Sequence, residues 1–135
     1  MIAVIDYGLG NLKSVHKAFK LLGYESKITK NPKEILDSQA IVFPGVGSFG
    51  DCMTELDSRN LISPIYKSIK SGKFFLGICL GLQILFNKSE ESPGVEGLNI
   101  IDGTISKIKF GDDLKVPHMG WNKICLLYTS DAADE

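Results

Sequence analysis

The chain has 135 residues, enough for one domain with a real core, and its 44% apolar and 23% charged residues exclude a disordered tail or a fibre. Fifteen basic side chains stand against sixteen acidic ones, with no basic stripe and Arg59 as the single arginine, which weighs against nucleic-acid readout. Three cysteines (Cys52, Cys79 and Cys125) without a secretory signal point to a reducing cytoplasm rather than a disulfide framework. The absence of any CxxC pair and the presence of only two histidines argue against a zinc site. No apolar run approaches the ~18 residues of a membrane helix.

Along the chain, Met1–Asp6 is a short apolar run and predicts a buried strand, broken by Gly8 and Gly10. Asn11 is placed to cap a helix in which Leu12, Val15, Phe19 and Leu22 recur at helical spacing, with Gly23 just past its end. Tyr24–Ile28 predicts a second strand, and Gln39–Phe43, ending at Pro44, a third. Helices are expected over Cys52–Leu56 and Leu61–Lys70, the latter closed by Gly72. Phe74–Ile78 predicts a fourth strand, and Leu82, Leu85 and Phe86 mark a helix starting just after Cys79. Short strands follow at Asn99–Ile101, Thr104–Phe110 and Trp121–Cys125. Strands alternating with helices imply an α/β fold with a mostly parallel sheet covered on both faces. In such sheets ligands bind at the carboxyl ends of the strands. Gly8–Asn11, Pro44–Gly47 and Gly77–Gly81 all fall at predicted strand ends and are expected at one edge.

The segment Phe74–Gly81, FFLGICLG, is an apolar strand, a G-x-C-x-G turn and the start of a helix, the thiol counterpart of a nucleophile elbow. In a strained turn the flanking positions must be nearly free of side chain, which Gly77 and Gly81 satisfy. The turn points Cys79 out of the sheet and onto a helix N-terminus, where unpaired N–H groups and the dipole favour a thiolate. The N–H of Leu80 is then placed to stabilise an oxyanion. The blander alternative is a buried cysteine ending a core strand. Pro44-Gly45-Val46-Gly47 is a second candidate, since glycines at a strand end let backbone N–H groups approach a ligand; an ordinary turn is the alternative. Gly8-Leu9-Gly10 matches a dinucleotide fingerprint only in part, because Lys13 stands where the third glycine belongs. His16 reads as a boundary residue of the first helix and His118 as a structural histidine.

GICLGLQ (Gly77–Gln83) resembles the nucleophile segment of class I glutamine amidotransferases. IDYGLGNLKSV (Ile5–Val15), FPGVGSFG (Phe43–Gly50) and VPHMGWN (Val116–Asn122) are similar, within that family, to the glutaminase subunits of imidazole glycerol phosphate synthases. The resemblance runs from Met1 to about Lys123 and implies a flavodoxin-like fold and hydrolysis of glutamine to glutamate and ammonia, with no cofactor and no metal. By that resemblance Cys79 is the nucleophile, Val46 and Leu80 supply oxyanion N–H groups, and Gly45, Gly47 and Gln83 bind substrate. Asn11 and Trp121 match positions beside a barrel-shaped synthase (cyclase) subunit, the implied partner in a heterodimer of histidine biosynthesis.

The family's triad also requires a histidine and a glutamate from an HPE-type segment, which does not occur in these 135 residues. The expected division is a partial amidotransferase domain over 1–124 and a tail over 125–135, CLLYTSDAADE, outside the family pattern, as expected of a truncated reading frame fused to unrelated codons. The chain as written is therefore expected to be inactive alone, and a non-catalytic docking piece or pseudo-glutaminase remains a competing reading. A redox-sensing flavodoxin-like protein is another, against which Gln83 and the PGVG segment argue.

Overall fold

The computed structural model describes residues 1–109 together with Gly120 and Trp121. Four parallel strands form the main sheet in the order β2-β1-β3-β4: β1 (Ile2–Ile5), β2 (Ser26–Thr29), β3 (Ala40–Gly45) and β4 (Phe74–Cys79). The connections β1 to β2 and β2 to β3 run in opposite directions across the sheet. With right-handed crossovers this places the first helix on one face and the later ones on the other. The fold is thus the α/β arrangement that the strand–helix alternation predicts.

Helix α1 (Leu12–Leu21) presents a half-buried stripe of Leu12, Val15 and Phe19 and is closed by Gly23 at φ +80°. Asn11 occupies its N-cap position, but the side chain makes no capping hydrogen bond, contrary to expectation. On the opposite face lie α2 (Pro32–Asp37), α3 (Phe49–Ser58) and α4 (Ile62–Lys70). Helix α2 is not anticipated by apolar spacing; it is fixed locally, with Pro32 in the first turn and the Asn31 side chain accepting from the Lys33 N–H at 2.9 Å. Alternate residues of β1 and β3 (Ala3, Ile5, Ile41 and Phe43) pack with Ile35, Cys52, Leu56 and Ile65 into one core. Val4 and Val42 are buried on the other face.

The strands differ from the sequence reading in instructive places. Strand β3 continues through Pro44 to Gly45 rather than stopping at Phe43. Pairing with β1 ends at Val42, so beyond it only β4 is a neighbour and a proline is tolerated. The helix after Cys79 is only α5 (Leu80–Gln83), and Phe86 belongs to a strand, β5 (Phe86–Ser89). The returning chain ends that helix: Leu98 N–H donates to the Ile84 carbonyl, Ile100 and Ile101 to that of Leu85, and Gly97 to that of Asn87. A continuing helix would need those carbonyls for itself. Strand β5 pairs in parallel with β6 (Ile101–Ile105), which replaces the separate strands expected at Asn99–Ile101 and Thr104–Phe110. The strand expected at Trp121–Cys125 lies outside the described residues, apart from Trp121.

Candidate functional site

The loops after β1, β3 and β4 meet at the carboxyl edge of the sheet, around the point where strand order reverses. Cys79 ends β4 at φ 56°, ψ −115°, a conformation that a non-glycine residue adopts only under constraint. Its side chain is exposed, whereas Cys52 is buried. The glycines of the G-x-C-x-G turn are required by contact. A Cβ on Gly77 would stand 2.4 Å from the Gly81 carbonyl oxygen, and one on Gly81 would stand 2.0 Å from the Phe43 carbonyl oxygen. Strand β4, helix α5 and strand β3 are therefore in backbone contact around the thiol, the geometry of a strained elbow and not of a cysteine ending a core strand.

Leu80 opens α5, and the first N–H groups of a helix have no acceptor within it. Because α5 spans only four residues, it supplies less of a dipole at Cys79 than the longer helix expected from the sequence. Gly45 is buried directly opposite Cys79 in the β3–β4 register. Gly47 is exposed at φ +97°, where a Cβ would lie 4.0 Å from Leu9 Cδ1 in the first glycine-rich loop, and a Cβ on Gly10 of that loop would lie 2.6 Å from the Pro44 carbonyl oxygen at the end of β3. Gln83, half-buried at the end of α5, lines a cleft of about 510 Å³ with Ser89, Glu90, Glu91, Ile105 and Lys107.

Tyr7, which the sequence reading did not single out, packs beside the candidate site. It is fully buried and stacks on Phe43 with ring centroids 4.9 Å apart. Its hydroxyl donates to the Val46 carbonyl at 3.0 Å and accepts from the Val46 N–H at 2.9 Å. The amide expected to face an oxyanion is therefore held by a phenol in this structure. Burial raises the Tyr7 pKa above its ordinary value; the backbone hydrogen bond to Val46 opposes this, and the nearby Cys52 and Cys79 thiols add to it. Burial likewise pushes the Cys52 thiol up to about 12. A single aromatic residue in a loop leaves no periodic signal, so only the fold reveals this contact.

The connection after β5 also reaches the site. Glu91 accepts from the Phe49 N–H and Ser92 from the Gly50 N–H, both at 2.9 Å, at the start of α3. His16 does not reach it: its Nδ1 is 2.8 Å from the hydroxyl of Ser26, which begins β2 at the amino edge of the sheet. His118 lies outside the described residues. Asn11 and Trp121 are both exposed.

The class-I glutamine amidotransferase family model matches residues 3–134. The chain belongs to the class I glutamine amidotransferase family. It is 48% identical over 129 residues to the imidazole glycerol phosphate synthase subunit HisH of Syntrophotalea carbinolica, covering 92% of this chain and 63% of that protein. It is 47% identical over 130 residues to the HisH subunit of Methanothermobacter thermautotrophicus, covering 96% and 64%. This amidotransferase chain thus spans less than two thirds of the length of those curated relatives. A crystal structure of a glutamine amidotransferase superposes with a TM-score of 0.69 at 18% identity, covering 84% of this chain and 60% of that one, which supports the fold. No helix among the described residues is long and apolar enough to cross a membrane.

Proposed function

We propose that Cys79 is the nucleophile of a glutaminase. The observation that carries this reading is the strained, exposed thiol at the junction of β4 and α5, packed on both sides by glycine. Glutamine binds with its side-chain amide at Cys79 and its remaining atoms toward Gln83, Gly45 and Gly47. The sulfur attacks the amide carbon, the carbonyl oxygen becomes an oxyanion held by the Leu80 and Val46 N–H groups, and the C–N bond breaks to release ammonia. Water then hydrolyses the γ-glutamyl thioester to glutamate. In the whole protein the ammonia passes to a barrel-shaped synthase subunit, the partner in a cytoplasmic heterodimer, for imidazole glycerol phosphate formation in histidine biosynthesis. Asn11 and Trp121 are the residues of this chain that we assign to that partner face.

The departing ammonia must take up a proton, and among the described residues no histidine stands beside Cys79 for the exchange. His16 is bonded to Ser26 at the wrong edge of the sheet, and no HPE-type segment occurs in the sequence. We therefore expect residues 1–135 to release no ammonia from glutamine. The same observation favours the second reading, a piece that docks on the synthase without catalysis, with 1–124 as the domain portion and 125–135 as the tail.

A diazoketone analogue of glutamine alkylates an activated nucleophile without needing turnover. We expect it to label Cys79, with free glutamine protecting and Cys79→Ala abolishing the adduct. Labelling at Cys52 instead, or no protection by glutamine, would count against the nucleophile. Ammonia release that disappears in Cys79→Ala would show that a base is present and would remove the docking reading.

A further inference from the structure

The cleft beside Gln83 carries charge of both signs, with Glu90, Glu91 and Lys107 among its lining residues. Each carboxylate is fixed by a backbone N–H from a different element. Glu91 Oε2 accepts from Phe49 at the start of α3, at 2.9 Å. Glu90 Oε2 accepts from Lys107, just past β6, at 3.0 Å. One oxygen of each carboxylate is thereby committed. The Lys107 ammonium is in a different position. Among the described residues it forms no ion pair; the pairs there are Lys27–Glu34 and Arg59–Glu55. It lines a cleft with two carboxylates and is bonded to neither, so its charge is left for a ligand.

The backbone explains why Lys107 stands at that wall. Ser89 and Ile105 are the last register partners of β5 and β6. The Glu90 N–H adds one more bond, to the Ile105 carbonyl at 2.9 Å. In a regular parallel ladder the Lys107 N–H would next take the Glu90 carbonyl. The chain turns away at that point, with Ser92 N–H donating to the Ser89 carbonyl and Glu91 N–H to the Ser89 hydroxyl. The Glu90 side chain supplies the missing acceptor and carries the pairing one residue further, to Lys107.

Gln83 ends the helical turn that begins just after Cys79. A glutamine with its amide at the thiol therefore directs its α-carbon, two methylenes away, into this cleft. We propose that Lys107 is a specificity-determining residue that takes the α-carboxylate of glutamine, and that Glu90 is the positioning residue that holds Lys107 there. This rests on the glutaminase reading above and names how that site recognises its substrate. The free oxygens of the two glutamates form the opposite, acidic wall, so the cleft as a whole matches a zwitterion. A glutamine whose carboxyl group is tied up in an amide or a peptide bond brings no charge to Lys107 and is disfavoured.

The test is calorimetric titration of the 135-residue chain carrying Cys79→Ala, in which binding is read without reaction. The ligands are L-glutamine and its α-carboxamide, L-glutaminamide. Adding Lys107→Met should weaken glutamine about tenfold, the loss of one charge-assisted contact, and should leave glutaminamide where it was. Lys107→Arg keeps the cation and should keep the preference for glutamine. Glu90→Ala should also weaken glutamine selectively, whereas Glu90→Gln retains an acceptor for the Lys107 N–H and should restore it. Equal effects of Lys107→Met on both ligands, no effect on either, or no binding of glutamine to Cys79→Ala at all overturns the proposal. Loss of the preference in Lys107→Arg does the same, and a Glu90→Gln variant as weak as Glu90→Ala removes Glu90 from it. The nucleophile is decided separately, by the diazoketone analogue on the unaltered chain. There the thiol proton passes to the diazo carbon, the Cys79 sulfur bonds to that carbon and dinitrogen leaves. Selective glutamine binding without that adduct would sink the nucleophile assignment and leave Lys107 in its role.

Discussion

Gly45 and Cys79 face each other as register partners at the ends of β3 and β4. A methyl group on Gly45 would stand 2.7 Å from the Gly81 nitrogen and 2.8 Å from the Leu80 Cβ. The nucleophile's elbow is therefore seated directly on the backbone of the PGVG segment, and the spacing between the two candidate oxyanion donors is set by the lack of a side chain at Gly45.

Gly45→Ala should push β3 and α5 apart. Overpacking of this kind costs about 1–3 kcal/mol, and thermal unfolding should shift down accordingly. Gly72→Ala is the control. Nothing lies within 4 Å of a Cβ there, and φ +84° alone carries the penalty, about 1–2 kcal/mol. The two variants separate in the single acylation of the Cys79 sulfur by the p-nitrophenyl γ-ester of glutamate, which releases p-nitrophenolate: Gly45→Ala should slow it and Gly72→Ala should not. Equal rates would mean that the seat does not matter to the thiol.

Thiol reactivity should follow the same architecture. Cys79 is exposed on the elbow, and Cys52 is fully buried in α3 with its thiol pushed up to about 12. Under native conditions at neutral pH, limiting iodoacetamide should modify Cys79 well before Cys52, as read by peptide mass spectrometry. Denaturant should erase the difference. Native modification of Cys52 ahead of Cys79 would contradict the burial pattern.

The buried thiol also predicts alkaline instability. In the unfolded chain Cys52 ionises near its ordinary value of 9.0, and in the folded chain only at about 12. The folded state thus keeps a proton that the unfolded state gives up between those values. Stability from the neutral thiol is present in full below pH 9.0 and is lost as pH rises toward 12. Tyr7, whose pKa is also raised, adds to the loss above its ordinary 10.0. Melting temperature should fall across this window, and Cys52→Ala should flatten the fall even though the variant starts lower. Parallel curves for the two proteins would exclude Cys52 as a source.

These contrasts explain what the sequence could and could not reveal. The elbow was legible because Gly77, Cys79 and Gly81 carry their constraint in residue type, and the glycine contacts repeat that pattern in space. The closures at Gly23 and Gly72 were legible for the same reason. Helix α2 had a readable start in Asn31-Pro32, but its six residues are too few to show a period. The end of α5 was not legible, because Leu82, Leu85 and Phe86 fit a helix until residues 97–101 return and take the carbonyls it would need. Tyr7 was invisible for a related reason: its partner is 39 residues away.

Trp121 yields the last prediction. A tryptophan in a short segment after glycine could fill the core or anchor a partner, and the two differ in exposure. Here its relative exposure is 104%, while fully buried residues such as Phe43 and Leu56 register 0%. Removing this exposed ring deletes no packing against the described residues, so Trp121→Ala should leave the thermal unfolding of this chain within about 0.5 kcal/mol of the original. If the ring is an anchor for the synthase subunit, the same substitution should weaken binding to that subunit by at least about 2 kcal/mol, the range of tryptophan hot spots. Asn11→Ala offers a companion measurement. Its side chain makes no capping bond, so the substitution should cost less than the ~1 kcal/mol of a lost cap. Calorimetric titration against the barrel subunit and thermal unfolding of each variant decide the matter. A large drop in melting temperature with unaltered affinity would place Trp121 in this domain's own packing and remove it from the partner face.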